Sequence, residues 1–204
     1  MIAIVDYGLG NISAFSNMYK RMNIHAQVAK NANDLVKATK LIIPGVGAFD
    51  HAMKLLEDSG MRPTLDDLVV NHKMPVLGIC VGMQILASTS DEGRLPGLGW
   101  IPGEVKAFRS APRTKGLALP HMGWNDVHPA ASSKLFNELE KDARFYFLHS
   151  FYFECASAEH AAATTGYGID FSCAVRAGNV FGVQFHPEKS HHYGAQLLKN
   201  FAEL

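Results

Sequence analysis

Short apolar runs alternate with helix-spaced ones along the first half of the chain. Ile2–Val5 is continuously apolar and stops at Asp6-Tyr7-Gly8, which is how a strand covered on both faces reads. A helical pattern follows to about Met22, with Asn11 or Ser13 placed to cap it. His25–Ala29 predicts a second strand and Leu41–Ile43 a third, closed by Pro44-Gly45-Val46-Gly47. Helices are expected over Ala48–Leu56 and Thr64–Asn71, a fourth strand over Pro75–Ile79 and a helix over Val81–Ala87. Strands alternating with helices predict βαβ units, hence an α/β fold with an open, mostly parallel twisted sheet and helices on both faces.

The pattern then changes. Gly and Pro cluster between Gly93 and Pro129, and the strands there look short. Arg144–His149, Ala161–Thr165, Cys173–Arg176 and Val180–Gln184 read as strands separated by turns, a small antiparallel extension of the same core. Tyr193–Leu204 puts Leu197, Leu198 and Phe201 on one side and predicts a closing helix. No repeat, low-complexity tract or linker interrupts the sequence, so one domain over residues 1–204 is expected.

Composition narrows the function classes. With 48% hydrophobic residues the chain can fill a core, which argues against disorder. Nineteen basic residues balance nineteen acidic ones, and no Lys/Arg run could follow a phosphate backbone, so neither nucleic acid nor an anionic membrane is an expected partner. Zero formal charge leaves little colloidal repulsion and favours association with another protein. No apolar run approaches the roughly 20 residues that span a bilayer. The first residues carry no basic leader, and Cys80, Cys155 and Cys173 form an odd set without metal-ligand spacing. A soluble cytoplasmic protein without disulfides or a metal is the expectation. Cys155 and Cys173 read as core or partly buried thiols.

The strongest chemical signal is Gly78-Ile79-Cys80-Val81-Gly82-Met83-Gln84. A buried strand ends in Cys80 and a helix begins at once, the nucleophile-elbow arrangement with sulfur in the nucleophile's place. Gly78 and Gly82 permit close backbone approach, and the helix start favours a thiolate. The Val81 amide points where a tetrahedral oxyanion would form. Alone, the segment also fits a small buried hydrophobe at a tight turn. The second signal is Gln184-Phe185-His186-Pro187-Glu188, in which a strand ends at His186 and Glu188 can return to the imidazole. A cysteine nucleophile needs a base within about 3 Å and a third group to orient it. The third is the Gly45-Val46-Gly47 loop, also at a strand end, where Val46 or Gly47 can offer a second N–H to an oxyanion. All three lie at predicted carboxyl ends of strands, where open α/β sheets place their sites.

Together these segments resemble the class I (triad) glutamine amidotransferases across essentially the whole chain. The resemblance implies Cys80 as nucleophile, His186 as general base and acid, Glu188 as its orienting carboxylate, Gln84 beside the substrate and Glu92 meeting the substrate's ammonium, with no cofactor. The segments 6–11 (Asp-Tyr-Gly-Leu-Gly-Asn), 44–49 (Pro-Gly-Val-Gly-Ala-Phe), 120–125 (Pro-His-Met-Gly-Trp-Asn) and 186–190 (His-Pro-Glu-Lys-Ser) resemble one branch of that family, the glutaminase subunits of imidazole glycerol phosphate synthase. Phe147-Leu-His-Ser-Phe151 fits too, although that branch more often has Tyr where Phe151 stands. This likeness implies a (β/α)8-barrel cyclase partner in histidine biosynthesis, and a docking face near Asn11, His121, Met122, Trp124 and Lys189. A glutaminase subunit of pyridoxal phosphate or anthranilate synthase is a rival reading that segment 120–125 speaks against. A non-catalytic binding protein of the superfamily is a second, and it has no need of His186-Pro187-Glu188. Gly8-Leu9-Gly10 resembles a dinucleotide fingerprint, but Ser13 stands where the third glycine belongs, so a tight turn is expected. His191-His192 reads as a solvated helix start rather than a metal ligand pair.

Overall fold

The continuously apolar runs become the middle of a sheet. In the computed structural model, which describes residues 1–111, 114, 116–131, 133–139, 141 and 143–204, β1 (Ile2–Val5), β2 (Ala26–Ala29), β3 (Lys40–Gly45), β4 (Val76–Cys80), β5 (Thr89–Ser90) and β6 (Gly103–Ala107) come first. They are followed by β7 (His121–Asp126), β8 (His128–Pro129), β9 (Arg144–His149), β10 (Phe151–Cys155), β11 (Ala161–Tyr167), β12 (Ile169–Ala177) and β13 (Val180–Val183). The helices are α1 (Ile12–Arg21), α2 (Ala32–Leu35), α3 (Phe49–Asp58), α4 (Arg62–Asp66), α5 (Val81–Gln84) and α6 (His191–Glu203).

Among the described residues the main sheet runs β2-β1-β3-β4-β13-β12-β10-β6-β5, with β11 on β12 and β8 on β11. Its first five strands are parallel; β13–β12, β12–β10 and β10–β6 are antiparallel. Every residue of β1, β4 and β13 is buried, as strands covered on both faces require. The expected α/β architecture and antiparallel extension are both present. α1 packs against α6, and α3 against α5.

Several elements differ from the sequence expectation, and strand β10 and helix α2 lie where none was expected. Segment 120–125 falls in the Gly- and Pro-rich stretch where only short strands were expected, yet 121–126 is strand β7, paired with β9 in a separate two-stranded sheet (His121↔His149, Trp124↔Tyr146). α5 ends at Gln84 rather than Ala87. The carbonyls of Ile85, Leu86 and Ala87 accept from Leu98, Ile101 and Gly99 (2.8, 3.1 and 3.0 Å), so a distant segment takes the acceptors that a longer helix would use. The Thr64–Asn71 helix starts at Arg62 and passes into a π turn at Asp67–Asn71. The closing helix begins at His191, two residues early.

β9 joins the two sheets. Phe145 stacks on Phe185 at 3.9 Å between centroids, and the His186 amide donates to the Tyr146 carbonyl (2.9 Å). Burying Phe185 stabilises this junction by about 2–3 kcal/mol, so the chain beyond β13 is held where the site needs it.

Candidate active site

β4 lies between β3 and β13, and Cys80 is its last residue. Cys80 sits at φ 56°, ψ −115°, a left-handed conformation that costs a side-chain-bearing residue about 1–3 kcal/mol. Packing enforces it. A Cβ on Gly78 would lie 2.4 Å from the Gly82 carbonyl oxygen, and one on Gly45 would lie 2.3 Å from the Gly82 nitrogen. The ends of β3 and β4 and the start of α5 therefore meet backbone to backbone, and the elbow turns sharply with Cys80 buried at its apex.

β13 runs parallel beside β4 (Val183↔Ile79), which delivers His186 next to Cys80. Pro187–Lys189 forms a 3-10 turn. Ser190 closes it: its hydroxyl donates to the His186 carbonyl (2.6 Å) and accepts from the Tyr146 amide (3.0 Å). The turn brings Glu188 back to the imidazole, with Nδ1 and Oε1 2.9 Å apart and both side chains buried. The imidazole and the Cys80 side chain line the same cavity and act on each other electrostatically.

Burial by itself pulls the His186 imidazolium down. The interaction with Cys80, the hydrogen bond to Glu188 and the negative charge of each outweigh burial and lift it to about 10. A folded value above the unfolded 6.5 means the protonated ring stabilises the fold below about 6.5, and this contribution is lost as pH climbs toward about 10. Denaturant midpoints should accordingly fall over that window. Glu188→Gln, which removes one source of the lift, should flatten the fall; an unaltered slope would refute the coupling.

A cavity of about 370 Å³ opens over this pair, and Asn11, Val46, Gly47, Val81, Gln84, Glu92 and Lys189 line it with the three groups above. The turn at 8–10 leans on the Val46 loop: a Cβ on Gly10 would stand 2.5 Å from that of Pro44, and the Tyr7 hydroxyl donates to the Pro44 carbonyl (2.8 Å). Gly10 serves packing, and Gly8 takes a positive φ of 97°, as expected of a tight turn. Glu92 accepts from the Phe49 amide (2.9 Å), capping α3, whose N-cap residue Ala48 has no side chain to do so. Burial raises the Glu92 carboxyl, against the Phe49 hydrogen bond, and Asp50 adds to the rise. Gln84 is buried, and its amide donates to Gln184 Oε1 (3.0 Å) and to the Phe151 carbonyl (3.4 Å).

The expected docking residues separate. Met122 (64% exposed) and Trp124 (40%) lie on the outer face of β7, and Trp124 stacks on His191 at 5.3 Å. His121, expected beside them, is a correction: alternation along the strand turns it inward, 4% exposed, between Phe147 and Tyr167 at 4.8 and 4.1 Å. Cys155 is partly buried and Cys173 buried, both as free thiols.

Sequence reasoning missed Gln184 and His149. Gln184 is fully buried with Nε2 3.8 Å from Cys80 Sγ. An amide amid Val183 and Phe185, in a run that reads as fully buried, must find partners, and that was its only signal. His149, also lining the cavity, was signalled only by the resemblance of segment 147–151.

The sequence profile of the family described as glutamine amidotransferase class-I matches residues 3–204. The chain is 64% identical to imidazole glycerol phosphate synthase subunit HisH of Bdellovibrio bacteriovorus and 51% identical to that of Leptospira borgpetersenii, each over 204 residues and the full length of both proteins. Among solved structures, a glutamine amidotransferase superposes with TM-score 0.76 at 20% identity, covering 99% of this chain and 97% of that one. PurLQS from Thermotoga maritima does so with TM-score 0.69 at 16% identity, covering 99% and 97%. At those identities the likeness concerns the fold alone.

Proposed function

The chain belongs to the class I glutamine amidotransferases, and from that premise we propose that Cys80, His186 and Glu188 form its catalytic triad within one domain over residues 1–204. The enzyme is the glutaminase subunit of an imidazole glycerol phosphate synthase and acts in histidine biosynthesis, as its full-length relatives at 64% and 51% identity support. It works with a partner subunit. We take that partner to be a (β/α)8-barrel cyclase, which uses the ammonia to form imidazole glycerol phosphate and AICAR. A cytoplasmic location belongs to this reading, supported by three free thiols.

The observation that carries the mechanism is the convergence of Cys80, His186 and Glu188 on one cavity, with His186 Nδ1 held 2.9 Å from Glu188 Oε1. With the proton on His186, the Cys80 sulfur attacks the carboxamide carbon of glutamine. The Val81 amide and an amide of Val46 or Gly47 hold the oxyanion, each such donor stabilising the transition state by about 3 kcal/mol. His186 gives its proton to the departing ammonia, and Gln84 and Glu92 sit where the amino-acid end of the substrate would lie. The imidazole then takes a proton from water, which hydrolyses the γ-glutamyl thioester to glutamate.

Ammonia release from glutamine, measured with and without the cyclase subunit and its nucleotide ligand, tests the reading. Stimulation by that subunit and by no other synthase is expected; partner-independent turnover at the full rate would reject a coupled subunit. Trp124→Ala, which removes an exposed aromatic of the kind enriched at hot spots, should weaken the complex by about 2 kcal/mol or more without unfolding the chain. Unchanged affinity would take Trp124 out of the interface.

A further inference from the structure

A hydrogen-bond chain beginning on β7 ends at the Cys80 sulfur, and its polarity is fixed. The Asn125 amide is oriented at both ends: Oδ1 accepts from the Asp126 amide (2.9 Å), and Nδ2 donates to the Gly166 carbonyl (2.9 Å). Nδ2 also faces His121 Nε2 at 3.3 Å, so that nitrogen must accept. His121 Nδ1 therefore carries the proton and donates to His149 Nε2 at 2.9 Å. His149 Nδ1 then carries the remaining proton, which it gives to the Phe151 carbonyl at 2.7 Å. That carbonyl also accepts from Gln84 Nε2, whose other hydrogen goes to Gln184 Oε1. Gln184 is thus oriented with Nε2 toward Cys80 Sγ.

We propose that His121 and His149 are positioning residues: a neutral relay that fixes the Phe151 carbonyl and, through Gln84 and Gln184, aims an N–H at the catalytic sulfur. The relay deepens the glutaminase reading and rests on it. One proton arrangement satisfies every link, and a second proton on either ring would break the series. His121, His149, Gln84 and Gln184 are each at most 6% exposed, so a lost link leaves a buried polar group short of a partner. Burial holds His149 near 3 and His121 near 4; the ionisable groups facing His149 are His121 and His186, both of which oppose a proton on it, while Tyr167 and Phe147 cover His121. The inner face of β7 thus carries the first links, while Met122 and Trp124 occupy its outer face.

Two substitutions separate positioning from packing. His149→Leu removes the donor to Phe151, whereas His149→Asn places an amide N–H where Nδ1–H stood. In complex with the cyclase subunit, His149→Leu should lower kcat by about tenfold or more, the loss expected when the Gln184 hydrogen bond to the charged sulfur goes with the link. In the isolated chain it should move the pH profile of Cys80 alkylation by iodoacetamide, read on the Cys80 peptide, to higher pH. His149→Asn should restore both. Leu and Asn variants that match wild type, or that are equally impaired, overturn the relay. Should His149→Leu fail to fold, 15N spectra of histidine-labelled wild-type protein decide: His121 and His149 protonated on Nδ1 from pH 6 to 9 supports it, and a proton on Nε2 of either refutes it. A wild-type complex that releases no ammonia would defeat the glutaminase reading, while the alkylation and 15N results would still judge the relay.

Discussion

Cys80→Ala is expected to lower partner-stimulated ammonia release by about 10⁴-fold or more, the loss typical when a triad nucleophile is deleted. The sulfur is the only group at the elbow apex that can form the thioester; Gln184 and Val81 around it supply hydrogen bonds, not electrons. Alanine keeps Cβ and so changes nothing in the backbone approach that sets φ at 56°. The Gly78, Gly82 and Gly45 contacts remain, and the variant should fold and bind the cyclase normally. Retained glutamine binding with vanished turnover is the signature of a lost nucleophile rather than a lost fold. A variant keeping a tenth of the wild-type rate would show that Cys80 is not the nucleophile.

What the sequence disclosed divides by range. The central strands were legible because β1, β4 and β13 are buried on both faces and so need unbroken apolar runs. The proposed triad was legible because two of its members lie two residues apart across a proline turn and the third sits between glycines that permit close packing. The details that failed depend on partners distant in the chain. α5 stops at Gln84 because residues 98–101 claim its carbonyls. β7 exists because β9 pairs with it, and that same register turns His121 inward. Gln184 reads as an ordinary polar residue until β13 is laid beside β4, when its amide faces the sulfur. Local spacing carried the chemistry of the site; its supporting hydrogen bonds needed the assembled sheet.

Gly82→Ala tests the elbow through packing alone. A Cβ there would lie 1.9 Å from the Ile43 carbonyl oxygen and 2.9 Å from its carbon. Neither atom belongs to a flexible side chain, and Ile43 cannot retreat, because β3 is registered on β4 at Ile43↔Gly78 and Pro44↔Ile79. The added methyl must push α5 off the sheet, moving the Val81 amide away from the oxyanion position. A loss of about 3 kcal/mol or more is expected, at the upper end for overpacking, with glutaminase activity reduced further than the folded fraction explains. Gly60→Ala is the contrast: exposed, at φ 67°, with nothing within 4 Å of the new Cβ, so it meets backbone strain and no clash. It should cost about 1–2 kcal/mol and leave activity intact. Urea midpoints at unchanged m-value measure both. If Gly82→Ala were as stable as Gly60→Ala, the elbow would have room to yield, and its left-handed cysteine would need a cause other than the crowding of three backbones.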